Sequence, residues 1–175
     1  MRNVARILVV LVFAISCFAA DRGPSTPAER KKAVEYVRYL EKNPLAPDAK
    51  EKRNWVMAFF MDVPDIQIQL CDDASDPLIQ QRNQNNANEL LSQSMLSSGA
   101  FIIQNPKQAK DLLAVQKAGL LGRLKAYEAI LKSNPNARWP HLDEMLKLRG
   151  TPAFDELVAK RAKACEAGIK YNLKK

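Results

Sequence analysis

The chain is poor in the residues that most chemistry needs. Its 175 residues include one histidine, three cysteines and six glycines. With His141 as the only imidazole, a zinc site or a Ser-His-Asp system has a single place to form. Asp143 and Glu144 stand beside it in sequence without a recognisable arrangement, and "RWPHLDEM" reads better as an exposed helix start. No glycine-rich phosphate loop, nucleophile elbow or metalloprotease helix motif occurs. No Cys-x-x-Cys is present to support redox catalysis. No cofactor is expected.

Long apolar runs are missing too. The longest, Ile7 to Ile15, has nine residues, too few to cross a bilayer of roughly 30 Å as a helix. Arg2 and Arg6 precede it and small residues follow, so residues 1–20 read as a secretory signal. Cleavage after Ala19 would place Cys17 and Ala19 at the two small-residue positions. Alternatively, "AISC" resembles a lipoprotein lipobox, with Ala14 where that motif prefers leucine. On that route the signal ends before Cys17, which is the candidate lipidation site.

The signal contains two arginines and no acid, so the chain's net charge of +8 falls to +6 in the exported form. That excess is spread along the chain and thickens at Lys160, Arg161, Lys163, Lys170, Lys174 and Lys175. Scattered charge on an exported chain argues against a nucleic-acid role. The basic carboxyl-terminal helix, or a lipid anchor, offers a route to peripheral membrane association.

What is present is helical periodicity. After a short linker at 21–26, residues 27–173 read as one all-α domain. About six helices would form an orthogonal or irregular bundle. Thr26, Pro27 and Glu29 are a helix-start signature, followed by the stripe Ala33, Tyr36, Val37, Leu40. Asp48 with Glu51 suggests a second start. The bulky face Trp55, Val56, Phe59, Phe60 marks that helix as central, with Trp55 and Phe59 as core anchors. The polar run 80–89 reads as a solvated loop. Leu91, Met95 and Ile102 share one face of the next helix. Leu113, Leu120, Leu124, Tyr127 and Leu131 recur on the longest one. Gly119 and Gly122 each cost that helix about 1 kcal/mol against alanine, which close approach of a neighbour would offset. Further helices follow Pro140 and Thr151-Pro152.

"YVRYLEKNPLA" and "YEAILKSNPNA" both end an apolar stripe at Asn-Pro, because proline disfavours the α conformation before it. This ending resembles the second helix of tetratricopeptide repeats. The two copies are not spaced at their period of about 34 residues, and no family follows.

Residues 65–71 break the helical pattern. Ile66, Ile68 and Leu70 alternate with Gln67 and Gln69 after Pro64, giving a short extended connector with no partner strand. Cys71 follows it, and the only other cysteine outside the signal is Cys165, in phase with Val158, Ala162 and Ile169. An even pair in an oxidising compartment reads as a disulfide. Pairing requires the chain to turn at Cys71-Asp72-Asp73. Asp62, Asp65, Asp72, Asp73 and Asp76 match no calcium loop. Asp76 before Pro77 looks like a helix cap. Trp139, flanked by Arg138 and followed by His141, is the candidate partner surface.

The sequence therefore favours an exported, periplasmic or envelope protein of non-enzymatic type. It would bind a protein or envelope partner or support the cell envelope. The alternative is an envelope hydrolase using carboxylates of the 62–76 segment with His141.

Overall fold

A computed structural model describes residues 22–69, 71 and 76–172, with side chains described as far as Glu166. Helices α1 (Pro27–Lys42), α2 (Ala49–Asp62), α3 (Pro77–Gln80), α4 (Ala87–Gln104), α5 (Leu112–Ser133), α6 (Pro140–Leu148) and α7 (Pro152–Asn172) follow in order, with a 3₁₀ turn at Pro106–Gln108. No strand occurs among the described residues. The fold is all-α, with seven α-helices among the described residues where periodicity counts about six. The extra one, α3, is four residues long, too short to show a period.

Several starts and stops follow the local chemistry. Thr26 Oγ1 accepts from the Glu29 amide at 3.2 Å, and Glu29 Oε2 accepts from the Thr26 amide at 2.8 Å, closing a capping box. Asp76 accepts from the Leu78 amide at 3.0 Å and so caps α3. The expected cap at Asp48 does not form. Its carboxylate instead accepts from the Tyr39 hydroxyl at 2.7 Å and Lys52 Nζ at 2.8 Å, tying α2 to α1.

The hydrophobic interior has two parts. One gathers Val37, Leu40, Val56, Phe59, Phe60 and the α4 residues Leu96 and Ala100. The other gathers Leu78, Leu90, Leu120, Leu124, Tyr127, Trp139, Leu142 and Phe154. Helices α4 and α5 contribute to both, so they form the centre of the molecule, and α2, expected there, lies to one side. Phe59 is the buried anchor of α2. Trp55 is only half-buried, stacked on Phe59 and met edge-on by Tyr36, both at 5.5 Å.

The α4–α5 contact explains Gly119 and Gly122. A Cβ on Gly119 would collide with Ser94 and Ser98, and one on Gly122 with Ser97. The same added atom would sit 3.1 Å from Glu41 Oε1. Loss of helix propensity at these glycines is thus offset by close backbone approach. Ser98 Oγ donates to the Val115 carbonyl at 3.2 Å and Ser94 Oγ to that of Gly119 at 3.3 Å. Gly122→Ala is expected to lose about 1–3 kcal/mol through overpacking, outweighing the gain of about 1 kcal/mol in helix propensity. Urea unfolding checks it, and a variant more stable than the parent would show that Ser97 yields freely.

Corrections to the apolar stripes follow from this centre. The α4 face that is buried is Leu90, Leu96, Ala100 and, as expected, Ile102, with Gln93, Ser97 and Ser98, while Leu91 and Met95 are half-buried. Leu113 lies outside the core, 45% exposed. The polar run divides. Gln80 ends α3, residues 81–85 are exposed turns, and α4 has begun by Ala87. Asn85 (φ 42°) and Asn86 (φ 60°) hold the left-handed backbone, which asparagine tolerates better than most residues.

The described part of the linker, residues 22–26, is docked on the domain. Asp65 accepts from the Ser25 amide at 2.8 Å and the Ser25 hydroxyl at 2.7 Å, and Arg30 pairs with it. The Ser25 amide, then the Ser25 hydroxyl and Arg30, hold the Asp65 carboxyl at about 2. A carboxyl lowered on folding stabilises fully above its unfolded value and loses that contribution as pH falls through the folded one. Docking of Ser25 is therefore expected to weaken between pH values of about 4 and about 2. Amide exchange near Ser25 against pH checks this; a step that persists in Asp65→Asn would place its origin elsewhere.

Candidate functional site

From Asp65 to Gln69 the connector alternates as period two requires: Ile66 is buried and Ile68 half-buried, while Asp65, Gln67 and Gln69 are exposed. Val63, ahead of Pro64, is buried outside that alternation. A strand ladder is replaced by side-chain anchoring. Gln116 of α5 donates through Nε2 to the Gln69 carbonyl at 3.3 Å and to Cys71 Sγ at 3.0 Å. Cys71 is joined by a disulfide to Cys165 of α7, with a Cα–Cα distance of 5.1 Å. The proposed turn at Asp72-Asp73, Leu70, Cys17 and the Ile169 side chain lie outside the described residues.

Beside the disulfide is a cavity of about 440 Å³ between the connector, α3, α4, α5 and α7. Asp76 stands in its wall, 3% exposed. Its Oδ2 accepts from Arg123 Nη1 at 2.8 Å and Arg161 Nη2 at 3.2 Å, while Oδ1 takes the Leu78 amide. Burial would raise its pKa, but the Arg123 charge and hydrogen bond, the Leu78 amide and Arg161 outweigh that and lower it. Arg123 Nε also donates to Ser94 Oγ at 2.9 Å. One carboxylate thus joins the start of α3 to α5 and α7.

His141 does not sit as an exposed helix start. It is half-buried, edge-on to Trp139 at 5.8 Å, with Nε2 3.8 Å from Asp76 Oδ1. That separation is beyond a hydrogen bond. Burial lowers the His141 pKa; Asp76 opposes this, and Arg123 and Arg161 add to it. The imidazole is consequently neutral near pH 7.

The expected exposure of Trp139 is overturned, and with it its place on a partner surface. The ring is 4% exposed, in the cluster with Leu78, Ala87 and Leu142. Burial is tolerated because both of its N–H groups are satisfied. The indole donates to the Asn85 carbonyl at 3.0 Å and the backbone amide to Tyr127 Oη at 2.8 Å. Tyr127 Oη in turn donates to Asp143 at 2.9 Å. Burial first, then Asp143, pushes Tyr127 up to about 12 against the opposing Trp139 amide. Arg138 remains exposed and pairs with Asp143 at 3.1 Å.

The acidic segment disperses. Asp62 is exposed at the end of α2, Asp65 holds Ser25, and Asp76 lies in the cavity wall. Among the described residues no group of three or more His, Cys, Asp or Glu could hold a metal ion. Nucleophilic catalysis needs a base in hydrogen-bond reach of the attacking group. Ser94 and Ser98 direct their hydroxyls at backbone carbonyls, and His141 is outside the cavity lining.

A second buried carboxylate went unread in the sequence. Glu41, 3% exposed, accepts from Arg38 at 2.6 Å, Ser97 Oγ at 3.0 Å and Lys125 Nζ at 3.1 Å. Its signal was its position: Glu41 follows Val37 by four residues, as Arg123 lies between Leu120 and Tyr127, each in phase with a core stripe. No family model, curated protein or solved structure matches the chain.

Proposed function

We propose that the protein is an exported, non-enzymatic helical protein of the periplasm or envelope that binds a partner or supports the envelope. The observation carrying this reading is the Cys71–Cys165 disulfide in a chain whose first twenty residues have a secretory pattern. Such bonds persist in oxidising compartments. The buried ionisable groups support the non-enzymatic part. Asp76, Glu41 and Tyr127 each join separate elements through several hydrogen bonds. No helix among the described residues is long and apolar enough to cross a membrane.

The alternative, an envelope hydrolase, draws on one observation, the approach of His141 to Asp76. It requires Asp76 to act as a base although Arg123 and Arg161 lower its pKa and so weaken it as a proton acceptor.

Fractionation of the native cells with intact-mass measurement tests the export. The expected mass begins near Ala20 or Asp21, or at a lipidated Cys17. A cytoplasmic protein retaining Met1 would end the secretory reading. Cross-linking in the envelope fraction, with mass-spectrometric identification, would name the partner.

A further inference from the structure

We propose that the turn between α3 and α4 is a processing site, where an endopeptidase specific for basic residues cuts Arg82–Asn83 in the folded protein. Gln81, Arg82, Asn83, Gln84 and Asn85 are all exposed, and none of them belongs to either half of the hydrophobic interior. A protease must draw several residues into an extended strand, so exposed polar turns are preferred places for nicking. Little opposes extension here. The Gln84 amide donates to the Gln81 carbonyl at 3.0 Å and the Ala87 amide to that of Gln84 at 2.9 Å. The tie from the Trp139 indole to the Asn85 carbonyl lies three residues beyond Arg82, at the edge of the stretch to be extended.

Arg82 is also the cation best placed for such an enzyme. Among the described residues its guanidinium takes no hydrogen bond or ion pair, so it enters a specificity pocket without breaking one. Other exposed basic residues outside the α-helices are held. Arg149 spans both Glu128 oxygens at 2.6 and 2.7 Å. Arg138 pairs with Asp143 and precedes the buried Trp139. Lys107 sits in the 3₁₀ turn, and Lys110 precedes Asp111, whose carboxylate caps α5 through the Ala114 amide at 3.0 Å.

The disulfide decides what the cut produces. Cys71 lies ahead of the bond and Cys165 behind it. Hydrolysis adds one water across the peptide, leaving a carboxylate on Arg82 and an amine on Asn83, and neither chain is released. Both new ends stay seated. Ahead of the cut Leu78 is fully buried and Asp76 pairs with Arg123; behind it Ala87 and Leu90 are fully buried. The product is a two-chain molecule with the same helices. This outcome depends on the turn and the disulfide, not on export or on a partner.

Limited digestion of the purified, oxidised protein with trypsin tests it. The first cut between Gly23 and Glu166 is expected after Arg82. Unreduced, the product stays one molecule and keeps its helical circular dichroism; reduced, it separates into two chains, the second starting at Asn83. Arg82→Gln should slow that first cut at least about tenfold, because a pocket built for a cation rejects the neutral side chain. The melting temperature should not move, since Arg82 is exposed, and Lys107→Gln should change neither rate nor stability. A first internal cut at another bond, an unchanged rate in Arg82→Gln, or chains that part without reduction would each overturn the proposal. So would early peptides ending at Arg123, buried within α5, because cleavage would then be waiting for global unfolding.

Discussion

Asp76→Ala is expected to destabilise the protein by about 3–5 kcal/mol, since it removes one partner of a buried ion pair. The charge left behind is Arg123, whose side chain is 8% exposed. Arg161, 31% exposed, can turn to water and adds less. The substitution also removes the α3 cap, itself worth about 1 kcal/mol. Against a total stability of about 5–15 kcal/mol, the loss would be a large fraction. Asp76→Asn keeps an oxygen for the Leu78 amide and should fall between parent and alanine variant. Asp76→Leu combined with Arg123→Met should recover much of the loss, because a missing pair costs less than a broken one. Urea unfolding of the four proteins decides it. A loss below about 1 kcal/mol in Asp76→Ala would show that water already reaches the pair.

The same residues show how far the sequence can be read. Thr26 with Glu29 and Asp76 before Pro77 act through neighbours within three positions, so their caps are legible in a linear string. Gly119 and Gly122 announce a close helix contact because their cost needs an offset, although nothing in the string names Ser97 and Ser98 as its other side. Trp139 misleads for a physical reason. Its burial depends on Asn85 and Tyr127, which are distant in sequence and supply the acceptors its N–H groups need. Asp48 misleads in the opposite way. A competing bond to Tyr39 and Lys52 takes the carboxylate that local pattern assigns to a cap. The meeting of Asp76, Arg123, Arg161 and His141 joins four helices or their termini. No local pattern encodes such a meeting.

Reduction of the Cys71–Cys165 bond should destabilise the protein by up to about 4.7 kcal/mol in the chain-entropy description of a loop near 100 residues. The cysteines are 94 positions apart, so the loop takes in most of the domain. The loss should be felt unevenly. Phe154 and Val158 of α7 lie in the main cluster with Leu120 and Leu124, so the first half of that helix keeps its packing without the bond. The connector has less to hold it: Ile66, the half-buried Ile68 and the bonds from Gln116. Having no strand partner, it cannot fall back on a ladder. Faster amide exchange is therefore expected at 66–69 and beyond Ala162 in the reduced protein or in Cys71→Ser, with α4 and α5 little changed. Peptide mapping of unreduced material comes first. It should yield one peptide pair linked through Cys71 and Cys165, and recovery of both as freely alkylated thiols from exported protein would remove the staple. Uniform acceleration across α4 and α5 would instead mean that the bond holds the whole fold and does more than tie the connector to the last helix.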